Sequence, residues 1–154
     1  MKLLRPDQVS GMNIHYKFYS LEYFLESQMR AGFKTIELWA GSPHFFLSNL
    51  EYDDCKKVSK MARERGLTIQ VITPENCTVP YQFAAGDPDL YAKSFEYFKK
   101  GLDAGEELGC KVMALKLGWF ISVSIRFTSS TVVARLVSSG RRDSIARVMP
   151  FVPA

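Results

Sequence analysis

Side chains able to bind a polar ligand or transfer a proton lie in or just after the apolar, strand-like segments of this 154-residue chain. "KTIELWA" (34–40) places Glu37 between apolar residues, and "LTIQVIT" (67–73) is followed by a second glutamate, Glu75. Carboxylates and imidazoles can accept protons, and an indole offers a flat face on which a ligand can stack. The candidate substrate-binding residues are His15, Glu37, Trp39, His44, Glu75, Asn76 and Tyr81.

Each candidate also has a structural interpretation. A half-buried carboxylate such as Glu37 must be paired or hydrogen-bonded, and a lysine or arginine could do this as well as a ligand. Trp39 on a strand is more often a core residue, and His44 could be a loop histidine bonded to backbone. The other candidates could lie at a rim or in turns. The histidines and glutamates are spread over three strand ends, so we expect no metal site in this chain.

The elements that must position these residues alternate between strand and helix. Ser20 and Asp87 are suited to cap two of the helices, and glycines follow the helix ends. An aromatic stripe of Tyr91, Phe95 and Phe98 is expected to pack against the sheet. The predicted strands are 11–16, 34–40, 67–73 and 111–117, and the predicted helices are 21–31, 51–65 and 86–109. This order predicts a parallel α/β sheet with its active site in the loops after the strands.

Composition excludes several classes of function. No run of 18 apolar residues exists, and no GxGxxG or P-loop pattern occurs, so we expect no membrane partner and no nucleotide cofactor. The three unevenly spaced cysteines fit reduced thiols in a cytoplasmic protein. The five dispersed arginines of residues 120–154 are a weak nucleic-acid signal, so we expect a small-molecule partner and no nucleic acid.

Three segments resemble the N-terminal half of the sugar phosphate isomerase/epimerase family, the xylose-isomerase-like TIM barrels. They are "GFKTIELWAGSPHFF", "TPENCTVPYQF" and "GDPDLYAKSFEYFKKGLDAGEELGCK", and the likeness is strongest to the ketose 3-epimerase and fructoselysine 3-epimerase branch. The resemblance implies a (β/α)8 barrel and proton transfer beside a ketose carbonyl, assisted by a divalent metal of the Mn or Mg class.

The resemblance stops near Trp119, after about four βα units. It implies that the metal ligands and the catalytic glutamates come from the second half of the barrel. Residues 120–154 contain no Glu, no His and only Asp143 as an acid. We therefore expect a truncated TIM-barrel type with an atypical tail, without a metal of its own and inactive alone, whose catalytic residues cannot be named.

The predicted domain division is 1–119 for the half-barrel and 120–154 for a basic tail. The tail holds five Arg and no Lys, whereas residues 1–119 hold 11 Lys and four Arg. An out-of-frame reading after residue 119 explains this switch, and a genuine basic extension or a divergent strand–helix ending are the alternatives. The alternative function is a non-catalytic half-barrel that binds a sugar or self-associates through exposed sheet edges.

Overall fold

The computed structural model describes residues 8–49, 55–83, 86–118, 121–128, 131–138 and 144–146, with side chains through Leu115 except at Asn49. The strands are β1 (Gly11–Met12), β2 (Thr35–Ala40), β3 (Thr68–Pro74), β4 (Val112–Gly118), β5 (Ile121–Thr128), β6 (Thr131–Ser138) and β7 (Ser144–Ala146). The helices are α1 (Leu21–Arg30), α2 (Cys55–Glu64) and α3 (Pro88–Glu107), with single 3-10 turns at Asn13–Tyr16 and Leu47–Asn49.

β1 to β4 form a parallel sheet in chain order, and each crossover contains one of the three helices. The predicted α/β alternation is thereby confirmed. The expected caps are present, because the side chains of Ser20 and Asp87 accept hydrogen bonds from the backbone N–H of Tyr23 and Leu90. Gly32, Gly66 and Gly109 have positive φ after the three helices, a conformation that glycine adopts without steric cost.

The prediction of a first strand over 11–16 is wrong in its length. Only Gly11 and Met12 pair with β2, and the chain then turns through Asn13–Tyr16. The side chain of Asn13, not its backbone, continues the hydrogen bonding to β2, as described below. An amide side chain can replace one step of a strand ladder because it carries the same donor and acceptor groups as a peptide.

The two faces of the parallel sheet differ in burial. One register row of Leu38, Ile72 and Met113 is completely buried under the helices. The adjacent row consists of Met12, Glu37, Val71 and Val112, and all four residues are only half-buried. We call the face that carries this second row the open face. In a closed (β/α)8 barrel the face without helices points to the interior.

Only part of the predicted aromatic stripe of α3 is turned inward, and the buried residues of this helix are Ser94, Tyr97, Phe98, Gly101, Ala104 and Gly105. Tyr91 and Phe95 are 47% and 49% exposed, so this prediction is wrong for them, and only Phe98 of the stripe is buried. A Cβ at Gly101 would lie 2.9 Å from Pro74 Cγ and 3.2 Å from the sulfur of Met113. Gly101 therefore lies where α3 approaches the sheet closely.

β5, β6 and β7 extend the same sheet beyond β4 with antiparallel pairing. β5 therefore occupies the edge of β4 where a parallel βα unit would place its next strand after a helix. The sequence offered a divergent strand–helix ending as one alternative for the tail, and no helix lies among its described residues. The proposed boundary at residue 119 stays a prediction, as does the out-of-frame origin of the tail.

Chemical labelling is expected to separate the three cysteines. Cys77 is exposed, whereas Cys55 and Cys110 are buried, and burial, with a smaller contribution from Cys55, raises the pKa of the Cys110 thiol from 9.0 to about 12. A thiol reagent at neutral pH should modify Cys77 rapidly and the other two only after denaturation, as mass spectrometry of the labelled peptides can measure.

The same shift predicts the pH dependence of stability. The pKa of Cys110 is higher in the folded than in the unfolded chain, so the contribution of this thiol to the free energy of unfolding is complete below about pH 9. It declines at higher pH, as the thiol of the unfolded chain ionises. A Cys110→Ala variant should therefore lose less stability than the parent between neutral pH and the alkaline range. Fast native labelling of Cys110 would contradict the burial on which this expectation depends.

Candidate functional site

Most of the predicted site residues lie at the carboxyl-terminal end of the parallel sheet, in or just after β1, β2 and β3. Trp39 lies in β2 near this end, His44 in the loop after β2, and Glu75 directly after β3. Parallel strands that share a direction place their following loops side by side. The three loops are joined here by the buried polar side chains of Asn13, His44 and Glu75.

Asn13 connects the first two of these loops. Its Oδ1 accepts a hydrogen bond from the backbone N–H of Trp39 at 2.6 Å, and its Nδ2 donates to the Trp39 carbonyl at 3.0 Å. The same Nδ2 lies 3.0 Å from Nδ1 of His44. Nε2 of His44 lies 2.7 Å from the carbonyl oxygen of Tyr19. Both ring nitrogens of His44 are thus engaged by protein groups, and its predicted contact with a sugar stays a prediction.

Glu75 connects the second and third loops. It is only 3% exposed, and its Oε2 accepts a hydrogen bond from the indole N–H of Trp39 at 2.5 Å. Its Oε1 accepts from the backbone N–H of Cys77 and, at 2.8 Å, from that of Thr78. Three donors therefore converge on one buried carboxylate, which meets the requirement that such a group be hydrogen-bonded. In this conformation Glu75 binds the protein's own loop and Trp39.

Tyr97 of α3 contacts the loop after β3. Its hydroxyl donates to the backbone carbonyl of Glu75 at 2.8 Å, and its ring stacks on that of Tyr81 at 4.5 Å between centroids. Burial raises the pKa of the Tyr97 phenol well above its ordinary value, and the neighbouring Glu75 carboxylate raises it further. The phenol therefore stays protonated and keeps donating its hydrogen bond.

Glu37 is the predicted site residue that points to the open face. Its Oε1 accepts a hydrogen bond from the hydroxyl of Thr73 at 2.6 Å. Among the described residues, Oε2 of Glu37 accepts no hydrogen bond, and no lysine or arginine pairs with this carboxylate. The half-buried carboxylate therefore has one oxygen available to a ligand on the open face.

The remaining candidates are more peripheral. His15 is exposed on the turn after β1, and Asn76 is half-buried beside Glu75. Tyr81 lines a shallow groove of about 330 Å³ between α3 and the loops after β2 and β3, with Ser48, Lys93 and Lys100 at its border. The roles of these three residues stay predictions.

Several residues that sequence reasoning did not single out belong to this edge. Asn13, Thr73 and Tyr97 form the hydrogen bonds described above. The loop after β1 also presents Phe18, 87% exposed, and Tyr19, 56% exposed. The only sequence signal for this loop was its density of aromatic residues in "HYKFYSLEYF" (15–24). Nothing local in the sequence indicates that an asparagine at position 13 bonds residues 26 and 31 positions away.

The described residues do not fit a divalent metal site. No group of three or more His, Cys, Asp or Glu side chains lies close enough to hold an ion in the part of the chain that the structure describes. In addition, both ring nitrogens of His44 and both carboxylate oxygens of Glu75 already form hydrogen bonds with protein groups. No helix among the described residues is long and apolar enough to span a membrane.

Comparisons with known proteins agree with this architecture. Residues 28–147 match the family model described as xylose isomerase-like TIM barrel, a match that runs past Trp119 into the tail. The chain is 27% identical over 88 residues to the fructoselysine 3-epimerases of Escherichia coli O157:H7 and Shigella flexneri. The aligned region is 57% of this chain and 32% of each of these relatives, so the chain spans about a third of their length.

The family model covers well over half of the chain, and the parallel βα units with their polar carboxyl edge have the architecture that the model describes. The chain belongs to the xylose isomerase-like TIM barrel family.

Proposed function

We propose that the described residues form the sugar-binding part of an isomerase or epimerase site, in which a proton is transferred at a carbon beside a ketose carbonyl. The observation that carries the proposal is Glu37, a carboxylate in the middle of β2 with one available oxygen on the open face, bonded to Thr73 near the carboxyl end of β3. In TIM barrels this end of the interior is where substrates bind. The likeness to two fructoselysine 3-epimerases supports a ketose as the substrate class.

The chemistry available to these residues is binding and orientation. The Thr73 hydroxyl fixes Oε1 of Glu37, so Oε2 points in one direction and can accept a hydrogen bond from a sugar hydroxyl. Trp39 and Glu75 hold the edge of the sheet rigid around it. Because the described residues do not fit a metal site, we assign no step of the reaction to a metal. We also assign the proton transfer to none of these residues.

The full chain tests the proposal by ligand-observed NMR with fructoselysine and free ketoses, followed by incubation in D2O with Mn²⁺ or Mg²⁺. We expect binding that weakens about tenfold in Glu37→Gln, because a hydrogen bond to a charged acceptor contributes about 1.5–3 kcal/mol. Glu107→Gln, an exposed change at the end of α3, is the matched control. Deuterium incorporation beside the carbonyl would support isomerase chemistry, whereas absence of any sugar binding would contradict the proposal.

A second candidate is a half-barrel that binds a sugar without catalysis or associates with itself. It is favoured by the half-buried apolar residues of the open face, Met12, Val71 and Val112, and by the two-residue strand β1 at the sheet edge. Sugar binding without deuterium incorporation would favour this candidate. A defined dimer in light scattering at several concentrations would favour self-association, and a monomer would count against it.

A further inference from the structure

Asn13 is completely buried and uses its entire amide group. Its oxygen faces the backbone N–H of Trp39, which can only donate, so the orientation of the amide is determined by its partner. The amide nitrogen then donates both of its protons, one to the Trp39 carbonyl and one toward Nδ1 of His44. No other arrangement of the amide satisfies all three contacts.

The tautomer of His44 follows from two independent contacts. Nδ1 faces the NH2 group of Asn13 and must therefore be an unprotonated acceptor. Nε2 faces the carbonyl oxygen of Tyr19, which can only accept, and must therefore carry the proton. Both contacts require the neutral Nε2–H form, and an imidazolium would oppose its Nδ1–H to the amide protons of Asn13.

We propose that Asn13 is a positioning residue of the site. It holds His44 in the neutral Nε2–H tautomer, and His44 in turn holds the carbonyl of Tyr19. The loop after β1, which carries the exposed rings of Phe18 and Tyr19, is thereby tied to the end of β2. The assignment of this loop to a sugar site rests on the proposed function, whereas the tautomer does not.

The choice of asparagine has a chemical reason. An aspartate would keep the acceptor for the Trp39 N–H but would place its second oxygen against the Trp39 carbonyl and against an unprotonated Nδ1. A proton on Nδ1 turns the second of these contacts into a hydrogen bond and so relieves the repulsion between the carboxylate and His44. Asn13→Asp is nearly isosteric and is therefore expected to place a proton on Nδ1 of His44.

The experiment uses the full chain labelled with ¹⁵N and long-range ¹H–¹⁵N correlation spectra at about pH 8, above the ordinary pKa of imidazole. The chain has two histidines, so exposed His15 is an internal reference, assigned with a His15→Gln variant. We expect His44 to show a protonated Nε2 and an unprotonated Nδ1, and His15 to show the tautomer mixture of a solvated ring. An Nδ1–H form of His44 in the unmodified chain would overturn the proposal without any variant.

The variants extend the test. Asn13→Asp should place a proton on Nδ1 of His44. Asn76→Asp makes the same chemical change in the loop after β3 and should leave the tautomer of His44 unchanged. An unaltered His44 in folded Asn13→Asp would overturn the proposal. In the ketose titration, weaker binding by Asn13→Asp supports the positioning role, and unchanged binding overturns it. If the unmodified chain binds no ketose while His44 has the expected tautomer, the proposed function fails but the tautomer lock stands.

Discussion

Replacing Glu75 by alanine is expected to lower the free energy of unfolding by about 4 kcal/mol, among the largest effects of a single substitution in this chain. The change leaves the indole N–H of Trp39 and the backbone N–H groups of Cys77 and Thr78 without their acceptor. A buried donor that loses its partner costs about 1–3 kcal/mol. The hydrogen bond of the Trp39 indole is buried, and those of the two backbone N–H groups are partly buried, so their loss costs less. Urea denaturation followed by circular dichroism measures the effect.

Glu75→Gln keeps nearly the same shape of the side chain and removes its charge, so it measures how much of the stability depends on the charge. Glutamine retains one oxygen for the backbone donors but turns an NH2 group toward the Trp39 indole N–H, so we expect an intermediate loss of about 2 kcal/mol. Glu107→Ala removes an exposed carboxylate from α3 and should change stability by no more than about 0.5 kcal/mol. If Glu75→Ala were as stable as this control, the buried carboxylate would not hold the loop after β3.

Replacing Gly41 by alanine is expected to cost about 2–3 kcal/mol by forcing the Trp39 ring out of its place. A Cβ at position 41 would overlap the indole, which is held by Glu75 and cannot swing aside without losing that hydrogen bond. The φ of Gly41 is not positive, so the cost arises from the ring and not from the backbone.

Fluorescence and NMR can report this displacement directly. In a Trp119→Phe background Trp39 is the only tryptophan of the chain, and its emission should shift to longer wavelength in Gly41→Ala. Its indole N–H resonance should also lose the downfield position of a hydrogen bond to a carboxylate. Gly86→Ala is the matched control, because nothing lies within 4 Å of a Cβ at that position. Equal effects of the two substitutions would refute the account of Gly41.

The parallel order of the first four strands could be predicted because it depends on local patterns. Alternating apolar residues, the caps at Ser20 and Asp87 and the glycines after each helix act over a few residues. The loops that carry His44 and Glu75 could be placed at one end of the sheet for the same reason, and Glu37 could be placed in β2. Their family could be inferred from segments of the sequence that match it, and the family model confirms this.

The partners of these side chains could not be predicted, since they lie far away along the chain. Asn13 and Trp39 are 26 residues apart, and Trp39 and Glu75 are 36 residues apart. A buried polar group must find a partner, but the sequence does not tell which one, because the distance between two loops depends on the register of the whole sheet. The roles of His44 and Glu75 were left open for this reason.

The sequence by itself determined the family, the order of the parallel βα units and the edge where polar residues gather, because each depends on short-range periodicity or on recognisable segments. The tertiary structure decided that the carboxylate of Glu75 is hydrogen-bonded within the protein, whereas one oxygen of Glu37 is available to a ligand. It also turned Tyr91 and Phe95 outward and Tyr97, Phe98 and Gly101 inward, where a Cβ at Gly101 would lie 2.9 Å from Pro74 Cγ. Both outcomes depend on packing between distant segments, which no local pattern specifies.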